Sequence, residues 1–180
     1  FDIPMTWHTR ERELKGEIMR TDIFIKVLSE VRDPDLMDAD MESAFVLLRN
    51  FEARFSRFRE ESELSLLNSS IGPCPVSDDL WGILGRCREY FNETDGIFDP
   101  TVLPLLEREG YAASYGTDAF GRSEISLSEP KQCSFADVVL DAETRMVTRP
   151  SGCRIDLGGI GKGYVVDRVA ELLGASYADF

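Results

Sequence analysis

Histidine is nearly absent from this chain: His8 is the single one in 180 residues, and none of the four cysteines, Cys74, Cys87, Cys133 and Cys153, stands in a Cys-x-x-Cys pair. A zinc centre made of those ligand types has no set to draw on. The cysteines read as ordinary buried or surface thiols, because a disulfide framework belongs mainly to short secreted chains. Basic residues are also scarce, 20 Lys and Arg against 33 Asp and Glu, which leaves a formal charge of −13 and a pI near 4.5. That balance excludes a nucleic-acid surface, which needs clustered cations against phosphates. An acidic protein that binds a polyanion must concentrate its few cations locally or recruit a metal. No apolar run approaches the roughly 20 residues of a bilayer-crossing helix, and no secretory hydrophobic segment is visible. The chain starts on Phe1 rather than Met, so the sequence leaves the compartment open.

What the chain does have is 43% hydrophobic residues, enough for one domain over residues 1–180 with a packed core. Its most informative stretch is IDLGGIGKGYVVDRV, residues 155–169. A short extended segment ends at Leu157, and Gly158, Gly159, Gly161 and Gly163 supply a turn whose backbone can approach a ligand. Val165, Val166, Val169, Leu172 and Leu173 then follow a helical period, which sets Lys162 at a helix start, where anions are favoured. Two known phosphate signatures fail here. A P-loop needs glycine where Asp156 stands and Ser or Thr where Gly163 stands, and the third glycine of a dinucleotide fingerprint falls on Tyr164 or Val166. Without further support, a structural turn and a ligand-binding turn are equally good readings.

Elsewhere the pattern yields an α+β fold. Residues 1–15 are polar and show no usable period. Residues 17–28 read as a strand, with Ile23, Ile25 and Val27 on one side and Phe24 and Leu28 on the other, a pattern that suits cover on both faces. Residues 39–57 are the best helix, with Met41, Phe45, Leu48, Phe51, Phe55 and Phe58 at intervals of three or four. Ser62 and Ser77 are candidate N-caps of two further helices, the second carrying Leu80, Leu84, Cys87 and Phe91 inward. Asp99, held out of the α region by Pro100, fits a cap or a ligand contact equally well. Residues 110–132 read as a loop able to cover a pocket, and 137–148 as a hairpin.

Three blocks, in this order, resemble the ApbE family of flavin transferases: FSRFREESELSLLN (55–68), TDGIFDPTVLPLL (94–106) and IDLGGIGKGYVVDRVAELL (155–173). The resemblance implies an α+β, T-fold-like architecture, a mixed or antiparallel sheet with helices packed against it. It implies an FAD:protein FMN transferase, moving FMN from FAD onto a threonine of an acceptor flavoprotein with Mg²⁺ and releasing AMP. Acceptors of the family include subunits of Na⁺-translocating NADH:quinone reductase and of Rnf-type complexes. Members are often periplasmic or membrane-anchored lipoproteins, although no lipobox is visible here.

Carried over residue by residue, the resemblance sets Met19, Phe58, Ile97, Phe98, Asp99, Asp156 and Lys162 along the FAD and makes the Gly159 carbonyl a ligand of the metal. Met19-Arg20-Thr21 stands in the place of the family's Met-Gly-Thr, and Arg20 departs from its glycine. Three of these positions also have a plainer reading: core packing for Phe58, a helix cap for Asp99, a surface cation for Lys162. The match covers about the first half of the family domain and stops before its Gly-Gly-Asp segment, its His loop and the Asp and Thr of its metal site. Catalytic groups are therefore expected beyond Phe180, and the 180 residues alone are expected to bind FAD weakly and transfer nothing. The alternatives are an Mg²⁺-dependent FAD pyrophosphatase and a flavin-binding module without catalysis.

Overall fold

A computed structural model of the chain describes residues 10–111, 133–178 and 180. It contains helices and two antiparallel sheets, so the α+β class holds. The chain falls into two compact units, Phe1–Glu52 with Gly163–Phe180, and Ala53–Lys162.

The first unit opens with a two-stranded antiparallel hairpin, β1 (Arg10–Ile18) and β2 (Thr21–Ser29). The sequence gives no strand before Lys15 and runs a single strand through 17–28, whereas here Met19 and Arg20 turn the chain with φ of 53° and 52°. Two central residues in the left-handed region make the tight turn whose twist suits a hairpin. Arg20 therefore occupies a conformation that glycine adopts at less cost. β1 escapes a hydrophobicity search because its outer side faces water: Glu13 lies opposite Lys26 and Lys15 opposite Phe24. The pairing there is charged, Lys26 reaching Glu11 at 2.8 Å, with the Lys15 amine 5.1 Å from the Phe24 ring centre. Phe24 is 55% exposed, so cover is one-sided, and only Ile25 and Val27 are buried.

α1 (Pro34–Phe55) begins five residues before the position its apolar stripe suggests. Asp33 accepts from the Asp35 N–H at 2.9 Å, and Pro34 fills the first helical position, where no N–H is needed. Its Met41, Phe45, Leu48, Phe51 and Phe55 are buried as the spacing predicts; Phe58 lies past the helix end. Gly16 of β1 crosses directly over Phe45, so that a Cβ there would sit 2.5 Å from the ring. α5 (Gly161–Gly174) buries Val165 and Leu173 but leaves Val166 and Leu172 exposed, because a stripe marks the side that can be buried and not how far cover extends.

In the second unit, α2 (Glu63–Ser69) is capped by Ser62 and α3 (Asp78–Glu93) by Ser77, as their spacing predicts. Arg54 ties the two helix starts, reaching Glu63 at 2.8 Å, the Ser77 hydroxyl at 2.6 Å and Asp79 at 2.5 Å. Three short strands, β3 (Cys74–Pro75), β4 (Val139–Asp141) and β5 (Met146–Thr148), form an antiparallel sheet in the order β3-β5-β4. The 137–148 hairpin is thus present, while the two-residue β3 is too short to leave a pattern. Arg88 of α3 donates to the Val138 carbonyl at 2.6 Å and fixes that helix to the sheet.

Past α3, a 3-10 turn (Pro100–Val102), α4 (Leu103–Leu106) and a wider π-type turn (Glu107–Tyr111) follow directly. The expected covering loop falls, beyond Tyr111, outside the described residues. One reading of the cysteines is corrected: Cys133 and Cys153 form a disulfide, leaving Cys74 and Cys87 free. Its partners are 20 residues apart and met only through the fold, so spacing alone could not reveal them. Closing a loop of that length restricts the unfolded chain, an effect of about 3 kcal/mol.

Candidate functional site

Ile155 is the buried residue that leads into the glycine turn, outside any strand, and one side chain holds it. Asn68, at the end of α2, donates from Nδ2 to the Ile155 carbonyl at 2.8 Å and accepts the Ile155 N–H on Oδ1 at 2.7 Å. An amide used in this way satisfies both main-chain groups of a buried residue. Arg149 stabilises the same corner, donating to the Leu67 carbonyl at 2.9 Å, the Ser70 carbonyl at 2.9 Å and the Cys153 carbonyl at 2.6 Å, and to that of Asn68.

Asp156 follows, and its main-chain N–H donates to the Pro100 carbonyl at 2.8 Å. That bond joins the glycine stretch to the Asp99-Pro100 corner. Of its carboxylate oxygens, Oδ1 accepts from the Gly158 N–H at 2.7 Å and Oδ2 pairs with Arg57 Nε at 2.7 Å. Both side chains of this pair are largely buried, 12% exposed for Arg57 and 11% for Asp156. Arg57 also donates to the Tyr111 carbonyl at 2.6 Å, and its guanidinium lies 4.2 Å from the centre of the Phe58 ring. The turn closes where the Ile160 and Gly161 amides both donate to the Leu157 carbonyl, at 3.1 and 2.6 Å, and α5 starts there.

Asp99 is a cap in this structure, which its Asp-Pro position allows. Its Oδ1 accepts from the Thr101 N–H at 2.8 Å and the Thr101 hydroxyl at 2.5 Å, and Oδ2 accepts from the Phe135 N–H at 3.2 Å. Phe98 packs edge-on to Tyr90, centroids 6.0 Å apart, and its ring would lie 3.5 Å from a Cβ at Gly159. The second and third blocks are thus in contact at Phe98 and Gly159 as well as through Pro100.

Six of the eight residues singled out from the sequence are joined in this way: Phe58 through Arg57 to Asp156, and Phe98 and Asp99 to the turn that carries Gly159, with Lys162 in the first turn of α5. Lys162 and Gly159 are exposed, Phe58 is 47% exposed and Ile97 91%. Exposed apolar and aromatic side chains of this kind, on a unit that also exposes a cation, offer surface to a ligand with a flat ring and negative charge. Ile97 follows Thr94, whose carbonyl accepts its N–H at 3.1 Å, but its side chain stands clear. Met19 belongs to the other unit, where its N–H donates to Glu52 Oε1 at 3.2 Å. Among the described residues, no three or more His, Cys, Asp or Glu side chains gather where a metal could sit.

The sequence model of the ApbE family matches residues 19–179. This chain belongs to the ApbE family. Among relatives of known name, it is 28% identical over 185 residues to an FAD:protein FMN transferase of Treponema pallidum, covering 96% of this chain and 48% of that protein. A Haemophilus influenzae protein of the same name is 25% identical over 171 residues, with 92% and 49% covered. The crystal structure of an ApbE protein from Thermotoga maritima superposes with a TM-score of 0.78 at 25% identity, over 93% of this chain and 54% of that one. The chain therefore spans about half the length of the curated relatives it matches. Within this ApbE chain, Arg57, Asn68 and the Pro100 carbonyl are the structural contributors that pattern reading passed over. Arg57 and Asn68 sit inside the first block, but their partners are distant in sequence and no local signal marks them.

Proposed function

We propose that this ApbE chain supplies FAD-holding surface to an FAD:protein FMN transferase, which moves FMN from FAD to a threonine hydroxyl of an acceptor flavoprotein. The observation that carries the reading is the meeting of the three family blocks around one exposed glycine turn. In the reaction the threonine oxygen bonds to the FMN-side phosphorus, the bond from that phosphorus to the bridging oxygen breaks, and AMP leaves with that oxygen. The hydroxyl proton passes to a base, and the barrier is mainly negative charge growing on phosphate oxygens.

Here Lys162, exposed in the first turn of α5, supplies positive charge beside the helix start, which itself favours an anion. Phe58, Ile97 and Phe98 offer apolar surface to the flat rings of FAD, and Asp99 keeps the Phe98 corner in shape. The main-chain oxygen of Gly159 would hold Mg²⁺, an ion that takes this donor class, and the ion would supply charge neutralisation at the phosphates. Among the described residues, no cluster of three or more His, Cys, Asp or Glu side chains adds to it.

Equilibrium dialysis of FAD against this chain tests the reading. Saturable binding is expected, weakened about tenfold by Lys162→Ala, the size of one lost charged contact, and weakened again by a chelator. If FAD fails to saturate, or Lys162→Ala and chelator leave the affinity unchanged, the assignment falls.

A further inference from the structure

The Arg57 guanidinium is committed on its edge and on its face at once. Its Nε pairs with Asp156 at 2.7 Å, its Nη2 donates to the Tyr111 carbonyl at 2.6 Å, and its flat face lies over the Phe58 ring, 4.2 Å from the ring centre. With its charge met by Asp156 and only 12% of its side chain exposed, it is poorly disposed to serve as a phosphate anchor. Its arrangement instead determines two things that the ligand surface needs. Holding Oδ2 of Asp156 leaves Oδ1 aimed at the Gly158 N–H, which sets the shape of the turn ahead of Gly159. Backing the Phe58 ring keeps an otherwise 47% exposed aromatic in one orientation.

Resting on the proposed FAD reading, we infer that Arg57 is a positioning residue of the FAD site, acting through Phe58 and Asp156 by pre-forming a platform for a planar ring beside the glycine turn. Asp156 then shapes the turn through its carboxylate bond to the Gly158 N–H. Lysine cannot substitute: a compact ammonium can keep the ion pair with Asp156, but it has no planar face for Phe58 and no second fork for Tyr111. Pre-formation appears as affinity, because a ligand no longer has to order the groups that receive it.

The test is a double-mutant cycle on FAD binding by this chain, read from flavin fluorescence, with Arg57→Lys, Phe58→Leu and the pair, and a melting temperature for each. Arg57→Lys is expected to weaken FAD about five- to tenfold while the protein stays folded at the assay temperature. The double variant is expected to bind no more weakly than the weaker single one, since both changes remove the same platform. Arg54→Lys, which loosens the starts of α2 and α3 instead, is expected to lower the melting temperature and leave the Kd alone.

An unchanged Kd in Arg57→Lys, losses that multiply in the pair, or an equal Kd loss in Arg54→Lys would each overturn the inference. Absence of FAD binding by the wild type would instead remove the functional reading together with it. Should Arg57→Lys fail to fold, the Arg57 Nε–H resonance of the wild type decides: it is expected to shift when FAD is added, and no shift counts against the role.

Discussion

Asp99 carries three hydrogen bonds on two oxygens, to the Thr101 N–H, the Thr101 hydroxyl and the Phe135 N–H. Thr101 is 4% exposed, so removing the carboxylate strands buried donors as well as deleting a cap. Asp99→Ala should lower stability by about 2 kcal/mol, measured as a shift in the urea midpoint at constant slope. A change below about 0.5 kcal/mol would mean that water replaces the carboxylate without penalty. This residue was half legible in advance, because an aspartate ahead of proline at a helix start announces a cap from local sequence alone. Arg57 and Asn68 were not. Asn68 serves Ile155, 87 residues away, and a side chain that satisfies a distant main chain leaves no periodic mark.

Elements differ in how far their sequences reveal them, and the difference follows burial. α1 shows its stripe because one whole side is buried, and α2 and α3 show their serine caps because a cap is a local contact. β1 hides because a two-stranded hairpin with a wet outer face needs few apolar residues, and β3 hides because it is two residues long. The disulfide follows from no element at all.

Three elements of the first unit meet at one polar cluster, which gives a pH-dependent prediction. Asp40 of α1 accepts from Arg32 at 2.6 Å and from the Tyr177 hydroxyl at 2.7 Å, beyond the ends of β2 and α5. The Arg32 hydrogen bond, aided by Tyr177, holds the Asp40 carboxyl below its ordinary value of 3.8. A carboxyl with a depressed folded value stabilises above the unfolded value and loses that contribution as pH falls through the folded one. Burial, with the bond to Asp40 second, moves Tyr177 the other way from 10.0, so it remains a neutral donor throughout this range. Asp40→Asn should therefore melt a few degrees below the wild type at pH 7. That gap should narrow below about pH 4 as the wild-type carboxylate is protonated. A gap that stays constant down to pH 2 would show that Asp40 acts through shape and not through charge.

For the molecule as a whole, the dominant physical fact is its charge of −13 alongside a proposed ligand whose pyrophosphate is itself anionic. At long range the protein repels FAD, and only within a few ångströms do Lys162 and the start of α5 reverse the sign. Salt separates the two regimes: raising ionic strength from about 0.01 M to about 0.15 M shortens the screening length from about 30 Å to about 8 Å. The distant repulsion is then screened, whereas contacts at the turn are screened much less. The association rate of FAD, followed by stopped-flow fluorescence, should consequently rise a few-fold across that range, opposite to the fall seen where a basic protein attracts phosphate. Lys162→Ala, at −14, should associate more slowly at low salt and climb more steeply with it, because less attraction offsets the same repulsion. A wild-type rate that falls as salt is added would mean that the local cations govern the approach from afar, and the acidic bulk of the chain would then have no part in how its ligand arrives.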